Sequence, residues 1–478
     1  MKRIVLLIWM LAVAQLCMAD IHPMDSALLH YRLIGFSFPE NQNATEYKLE
    51  VFDFNTTIAK SIEAKPIATE KGQTTHLVAT VPEFGKSYVW RVQYISYGKP
   101  AGYSEPHFFT VRPNPYSNKK VSHLRMLKPA SKYKDLMVLF DNTRSLYNMQ
   151  GEPLWFIPDE WKLADTAVNS VRDLKLTHDG TFTMVTNKNI YEIDYDGNII
   201  WHGSNNGKVS GDTVEYYHHQ FTKLKNGNYM VIGNIMSPTI ITDTANGKGS
   251  TELKVCGTVI EYGKYMQLLW TWNSCSFIRA NDMATHFNSF YLDEDRQMLY
   301  TGYRNLGCVL KAEYPSTRLV AQYGNDSTKS SGKFFSQHNV SINSDGNLMM
   351  FNNNYNMQLS EKERIANCVP SVVVFREPQN AKDTLTKIWE FSCGIDTLVN
   401  PMSPSGGSVV ELDKGDYLVC AGMPGRAFIV SKEKELLWHV LSEKNVKGAW
   451  SPAPIYKISP VRKQDLDKLL FNTSISSH

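Results

Sequence analysis

Along most of this chain, apolar and polar residues alternate in short runs broken by Gly, Asn and Asp turns. This is the period-two pattern of strands with one buried face. Between residues 21 and 112 the runs read "HYRLIGFSF", "EYKLEVFDF", "THLVATV", "SYVWRVQYIS" and "EPHFFTVRP". Short strands at this spacing predict a small β-sandwich over residues 20–113, closed by the proline-rich boundary "RPNPYSNKK". No catalytic cluster appears in this stretch, which reads as an accessory module.

From about residue 120 the pattern repeats. Six segments, at intervals of roughly 50 residues, end in a strand pair: "SLYNMQGEPLWFIP", "NIYEIDYDGNIIWHG", "TVIEYGKYMQLLWTWN", "VLKAEYPSTRLVAQYG", "VVVFREPQNAKDTLTKIWEFS" and "AFIVSKEKELLWHV". Several follow another pair with an acidic or Gly-Asn turn, such as "LTHDGTFTMV", "LKNGNYMVIG", "LDEDRQMLYTG", "INSDGNLMMF" and "LDKGDYLVCAG". Four strands per repeat, six times over, predict an all-β fold. The expected architecture is a six-bladed β-propeller over residues 120–478, with "PIYKISPV" as a candidate closing strand.

In a propeller the innermost strand of each blade lines the central axis, so one fixed place in that strand recurs around a ring. Counting back eight positions from the turn glycine gives Arg172 from Gly180, His219 from Gly227, His338 from Gly346 and Gly407 from Gly415. The fourth repeat lacks the glycine, but "THFNSFYLDEDRQ" puts His286 at the equivalent place. Antiparallel pairing about each turn then sets Asn187, Asn234 and Asn353 opposite Arg172, His219 and His338, and Arg304 opposite His286. Asn142 takes the corresponding place in the first repeat. The asparagines read first as strand-end caps; the arginine is the departure. His218 ranks below His219, because strand alternation turns neighbours to opposite faces.

Composition narrows the partners. The chain has 478 residues, 42% hydrophobic and 20% charged, and a formal charge of +3. No basic block suggests a nucleic-acid partner. Residues 1–19, "MKRIVLLIWMLAVAQLCMA", have the layout of a signal peptide, with an apolar run of about 14 residues that is short for a membrane span. Leu16 makes "AQLC" a poor lipidation site, so lipidation at Cys17 is the lesser alternative to simple export. No later segment is apolar enough for an integral membrane span.

Export implies an oxidising compartment for the six remaining cysteines. Cys256 with Cys275, and Cys368 with Cys393, flank the open ends of two hairpins and are the candidate disulfides. Cys308 and Cys420 lie inside strands as buried thiols. No CxxC pair supports a structural zinc site.

Three histidines at matched positions with an arginine alongside invite two chemistries. A zinc or copper site is the first, but the fixed charges of Arg304 and Arg172 oppose a divalent cation. The same charges suit an oxyanion, and a guanidinium fork matches sulfate or phosphate geometry. Histidine serves as nucleophile, as acid or base, and as donor to a tetrahedral centre. The combination points to transfer of an anionic group through a covalent histidine intermediate.

On "HHQFTKLKNGNYMVIG", "HFNSFYLDEDRQMLYTGYR", "FSQHNVSINSDGNLMMFNNN" and the "VVVFREP…KIWEF" pair, the chain resembles the bacterial nucleotide-independent arylsulfate sulfotransferases. The 18-residue interval from His286 to Arg304 and the "QH" pair at Gln337–His338 carry the resemblance furthest. It implies a periplasmic six-bladed propeller that passes a sulfuryl group from a phenolic sulfate donor to a phenolic acceptor by ping-pong chemistry, without cofactor or metal, and it suggests a homodimer. His338 would be the nucleophile, and His286 and Arg304 would hold the sulfuryl oxygens. His219 would either bind the group or exchange protons with the phenol, while Asn353, Asn234 and Arg172 face the substrate. Tyr216, Tyr217, Phe334 and Phe335 either flank an aryl group or pack the core.

The chain departs from the family pattern in a shorter stretch between Arg304 and His338, in Asn352 where an acidic residue is usual, and in a missing arginine near Ser371. Hydrolysis of the ester by the same ring and a non-catalytic anion-binding propeller are the alternatives.

Overall fold

A computed structural model describes residues 21–158, 171–186, 189–242, 249–278, 282–324, 334–380 and 383–471. The expected signal peptide and Asn187 lie outside the described residues. The chain divides into two compact units. The smaller holds the residues before Tyr116 together with 154–158 and the stretch from Leu466; the larger holds the rest.

In the smaller unit, strands Ala27–Leu29, Glu46–Asp53, Ala68–Gly72, Lys86–Ser96, Lys99–Tyr103 and His107–Val111 form one sheet, and Leu33–Ser37 pairs separately with His76–Thr80. The period-two pattern survives folding: Tyr47, Leu49 and Val51 are buried at every second position. Phe36 of the separate pair meets Trp90 edge to face with ring centroids 5.2 Å apart, and Phe109 at 6.1 Å. The two sheets therefore share one apolar core.

Among the described residues, the larger unit contains six antiparallel sheets. In the first, Met137–Phe140 lies between Ser145–Asn148 and the C-terminal strand Ile458–Val461. The second runs Arg172–Leu176, Phe182–Val185, Ile190–Ile193, Ile199–His202, in sequence order from one edge to the other. The third starts at Tyr217–Lys223, the fourth at Phe287–Asp293, the fifth at His338–Ile342 and the sixth at Ser408–Glu411, each with the same sequential order. Two strands link the beginning and the end of this series: Ile458–Val461 joins the first sheet, and Ser122–Lys128 pairs with the sixth along Leu436–Val446. First strands of successive sheets are neighbours, and Ile458–Val461 neighbours both the sixth and the second.

These first strands are not regular. Their register slips between Arg172 and Lys175, His218 and Phe221, Phe287 and Ser289, and His338 and Ser341. Beside each slip stands a residue with positive φ: Asp173 at 53°, His219 at 62°, His286 at 49° and Asn339 at 52°. A bulge of this kind re-aims side chains and breaks the simple two-faced alternation. In the sixth sheet Gly407 holds the ring position, since a Cβ there would come within 2.3 Å of the Phe351 ring.

One of the two expected disulfides is formed. Cys256 and Cys275 are bonded, with Cα atoms 5.6 Å apart. Pairing of Thr258 with Asn273 extends directly to these two residues, so they stand opposite one another. Cys368 and Cys393 are instead free, buried thiols. Ser371 pairs with Ser392, which sets Pro370, not Cys368, opposite Cys393, and the two cysteines are out of step by two residues. Cys308 and Cys420 are buried thiols as expected.

The Cys256–Cys275 bond spans 19 residues of sequence. Opening it in Cys275→Ala is expected to lower stability by about 3 kcal/mol through the freer unfolded chain. Urea unfolding of the oxidised protein against the variant measures this; equal midpoints would contradict it.

Candidate active site

His338 opens the first strand of the fifth sheet and is 1% exposed. Its Nδ1 lies 2.7 Å from Asn353 Oδ1 and 3.2 Å from the Ser336 carbonyl, both acceptors. Asn353 cannot turn to offer its amide instead, because its Nδ2 donates to the Ser403 carbonyl at 2.8 Å and the Gly406 carbonyl at 2.9 Å. The hydrogen of the neutral imidazole is therefore held on Nδ1, and the lone pair is left on Nε2. Among the described residues nothing hydrogen-bonds Nε2. The expected pairing of Asn353 with His338 is present, and both polar ends of the amide are spent inside the protein, so it holds the ring and has no free group for a ligand.

The other ring residues lie close enough to His338 to act on it electrostatically, Arg304 and His286 foremost. His219 and His286 have ring centroids 5.2 Å apart. The His286 carbonyl accepts from the Arg304 backbone N–H at 3.0 Å, the cross-strand pairing read from the sequence. The Arg304 guanidinium donates to Asn305 Oδ1 at 2.7 Å and to the Pro404 carbonyl at 2.6 Å, while its buried Nε finds no acceptor among the described residues. A buried donor of a charged group without an acceptor is costly, and an anionic oxygen would satisfy it. Arg172 is exposed, with its guanidinium 5.2 Å from the Tyr456 ring centre.

Two residues differ from the sequence reading. Asn234 faces His218, not His219: its Oδ1 lies 2.9 Å from His218 Nε2. The bulge and the positive φ of His219 turn both neighbours inward, so their Nδ1 atoms contact one another. Counting eight residues back from Gly227 thus lands one residue late, and His218–Asn234 is the structural counterpart of His338–Asn353.

Tyr456 was legible only as part of a closing strand. Its ring centre is 6.1 Å from that of His219 and 6.3 Å from that of His338, and its buried hydroxyl has no partner among the described residues. Of the four aromatics named from sequence, Tyr217 and Phe334 are core residues. Tyr216 is exposed, with its ring 5.3 Å from His218.

Beneath the ring, Asp141 accepts from the backbone N–H of Tyr456 at 3.1 Å and of Lys457 at 2.8 Å. Lys457 Nζ reaches Asp173 Oδ1 at 2.9 Å, and Lys175 Nζ reaches the other oxygen at 2.8 Å. Gln220 donates from Nε2 to the Phe290 carbonyl at 2.7 Å. Asp173 is thus paired with two lysines, as its desolvation requires, whereas burial raises the Asp141 carboxyl to about 7 against its two backbone hydrogen bonds.

The histidines are neutral by environment. Burial is the first cause that holds His338 down at about 3, joined by the charges of Arg304, His286 and Lys457 against the Asn353 hydrogen bond. Burial also brings His286 and His218 to about 4, with Arg304 foremost among the charges acting on His286. His219 lies well below the usual range, from burial and from His218, His286, His338 and Arg172. Burial raises the Tyr456 phenol, which stays protonated. The result is a set of uncharged imidazoles beside fixed guanidinium groups. Among the described residues no group of three or more His, Cys, Asp or Glu is arranged to hold a metal ion, and no helix is long and apolar enough to cross a membrane.

A family model described as Arylsulfotransferase (ASST) matches residues 129–449. No curated protein sequence matches the chain. Among solved structures, a Bacteroides caccae protein of unknown function is 12% identical, with TM-score 0.43, over 72% of this chain and 100% of that one. The Cps50 (Swd1) beta-propeller domain of Myceliophteria thermophila is 8% identical, with TM-score 0.37, over 70% and 98%. At such scores neither likeness bears on this chain's chemistry.

The neutral histidines set a pH dependence of stability. Their folded values lie below the ordinary 6.5, so below that pH the unfolded chain takes up protons that the folded chain refuses. Stability is then complete above about pH 6.5 and falls as pH drops towards 4, by about 2 kcal/mol per such group at pH 5. His338→Gln is expected to show a smaller loss than the unaltered protein between pH 7 and pH 5, by roughly that amount. Urea titrations at the two pH values test it, and an unchanged difference would contradict it.

Proposed function

The chain belongs to the arylsulfotransferase (ASST) family, and on that premise we propose that it moves a sulfuryl group from a phenolic sulfate ester to a phenol in two steps, through a sulfated His338. The observation that carries this reading is the fixed tautomer of His338, with Nδ1–H on Asn353 Oδ1 and Nε2 unengaged. In the first step Nε2 attacks sulfur, the bond from sulfur to the aryl oxygen breaks, and its electron pair departs with the phenolate. In the second a phenol oxygen attacks the same sulfur, the bond from sulfur to Nε2 breaks with its pair returning to the nitrogen, and the phenol's proton passes to a neutral imidazole of the cluster.

The electrostatics suit both steps. A loose, largely dissociative transfer spreads charge over the three equatorial oxygens, where Arg304 with its unengaged Nε and His286 stand ready to meet it. Arg172 adds a second positive charge at the rim. While His338 carries the sulfuryl group, the ring becomes cationic and its Nδ1–H strengthens the bond to Asn353. A nitrogen as weakly basic as His338, at about 3, also makes a good leaving group, as the second step demands.

Around this centre the same reading takes the six sheets of the larger unit as the blades of a six-bladed propeller. Support comes from the two-ended closure by Ile458–Val461 and Ser122–Lys128 and from the cyclic order of first strands. Residues 20–113 are proposed as an accessory β-sandwich, and residues 1–19 as the signal for export to the periplasm, with which the Cys256–Cys275 disulfide accords. The donor is a phenolic sulfate and the acceptor a phenol, with no nucleotide needed. A homodimer is part of the proposal only through the family resemblance.

Nitrophenol release from nitrophenyl sulfate by metal-stripped mature protein is expected to rise with added phenol. It should fall by at least about 1000-fold in His338→Ala, with the label from a sulfur-35 donor found on His338 in the unaltered protein. Release that ignores phenol would make the protein a hydrolase, and no release or label would leave an anion-binding propeller. Arg304→Lys, which keeps the charge and loses the fork, is expected to slow turnover by about 10–100-fold, in kcat more than in KM. An effect confined to KM would contradict transition-state stabilisation by this residue.

A further inference from the structure

The bulge in the first strand of the third sheet turns His218 and His219 inward, and the two steps described above name neither. We propose that His218 is the positioning residue that makes His219 the base for the incoming phenol. The proposal rests on the sulfuryl-transfer reading and assigns it an acceptor side.

The hydrogens follow from the partners in order. Asn234 Oδ1 is an acceptor 2.9 Å from His218 Nε2, so in neutral His218 the hydrogen sits on Nε2 and the lone pair on Nδ1. That Nδ1 meets His219 Nδ1. Two ring nitrogens in contact need one hydrogen between them, and His218 has none to give, so His219 donates from Nδ1 and its lone pair stands on Nε2. No described residue hydrogen-bonds that Nε2. The ring lies 5.2 Å from His286 and 6.1 Å from Tyr456, centre to centre, and the Tyr456 ring is in turn 6.3 Å from that of His338. Without His218 no described residue selects this tautomer, and one of the two neutral forms of the ring would present a hydrogen to the phenol instead of a lone pair.

The surroundings keep the pair uncharged. His219 is faced by His218, His286, His338 and Arg172, and His218 by Asn234, Arg172 and the Tyr216 ring. No carboxylate stands among these neighbours to draw a proton onto either ring. The positive φ of His219, 62°, is the backbone condition for both side chains to share one side of the strand. His338 and His218 thus use the same device, a ring nitrogen on an asparagine oxygen, for different ends. In one it exposes a nucleophile directly; in the other it fixes the next histidine.

In the second step the phenol transfers its proton to His219 Nε2 as its oxygen attacks sulfur. The bond from sulfur to His338 Nε2 breaks, and the electron pair returns to that nitrogen. The proton then passes from His219 to water or to the next departing phenolate. The first step with nitrophenyl sulfate needs no such help, because nitrophenolate is stable as an anion.

The two half-reactions therefore separate the role. In His218→Leu, the single-turnover burst of nitrophenol is expected within about twofold of the unaltered enzyme, while phenol-dependent steady turnover falls about 100-fold. His218→Asn, whose Oδ1 can accept where Nδ1 stood, is expected to recover most of that loss. Equal slowing of burst and turnover in both variants would overturn the proposal in favour of a structural role, and so would unchanged turnover in His218→Leu. Should His218→Leu lose its cooperative unfolding transition, Asn234→Leu replaces it and must show the same split. A missing burst in the unaltered enzyme would instead overturn the sulfuryl-transfer reading itself.

Discussion

The site depends on one pairing, that of Ile458–Val461 with Met137–Phe140. It joins a strand near the end of the chain to the first strand of the first sheet, and with it come Tyr456 and Lys457. Asp141, immediately after the partner strand, accepts from the backbone of both residues. Lys457 then runs to Asp173 in the second sheet, and the Gln220 amide ties the third sheet to the fourth. Each link is a buried polar contact that would be expensive to leave unmade. Loss of the closing strand would leave the buried Asp141 carboxyl without its two backbone donors as well as open the sheet series.

The bulges are the second constraint. A regular strand would offer the interior every other side chain, and the ring would then hold one residue per sheet. By placing His219, His286 and the neighbours of Arg172 and His338 at positive φ, the fold accepts roughly 1–3 kcal/mol of strain at each. What it gains is a denser set of polar groups, including two adjacent histidines in contact. Strain of this kind persists only where packing over-determines the backbone, and the inner strands of successive sheets supply that packing.

Charge is arranged to complement this geometry. Four imidazoles are kept neutral chiefly by burial, while the charge that would meet an anion resides on guanidinium groups that cannot lose it. The asparagines decide which nitrogen of a ring faces inward. Neutral imidazoles and fixed cations can thus sit within one cluster without titrating one another into the wrong state.

The strands, their pairing in hairpins, the sixfold repetition and the places of His286, Arg304, His338 and Asn353 could all be read from the chain. Each follows from local periodicity and from the antiparallel rule that residues equidistant from a turn lie opposite one another. The same rule placed Cys256 against Cys275, and it failed for Cys368 and Cys393 only because the register there is offset by two residues. The sequence by itself determined which residue types recur at the inner strands. Only the tertiary structure decided that His218 faces inward beside His219, that Asn234 belongs to His218, and that Tyr456 joins the ring. The reason is physical: a bulge costs one residue of register that alternation cannot register in advance, and a strand more than 300 residues from its partner is placed by closure of the whole sheet series.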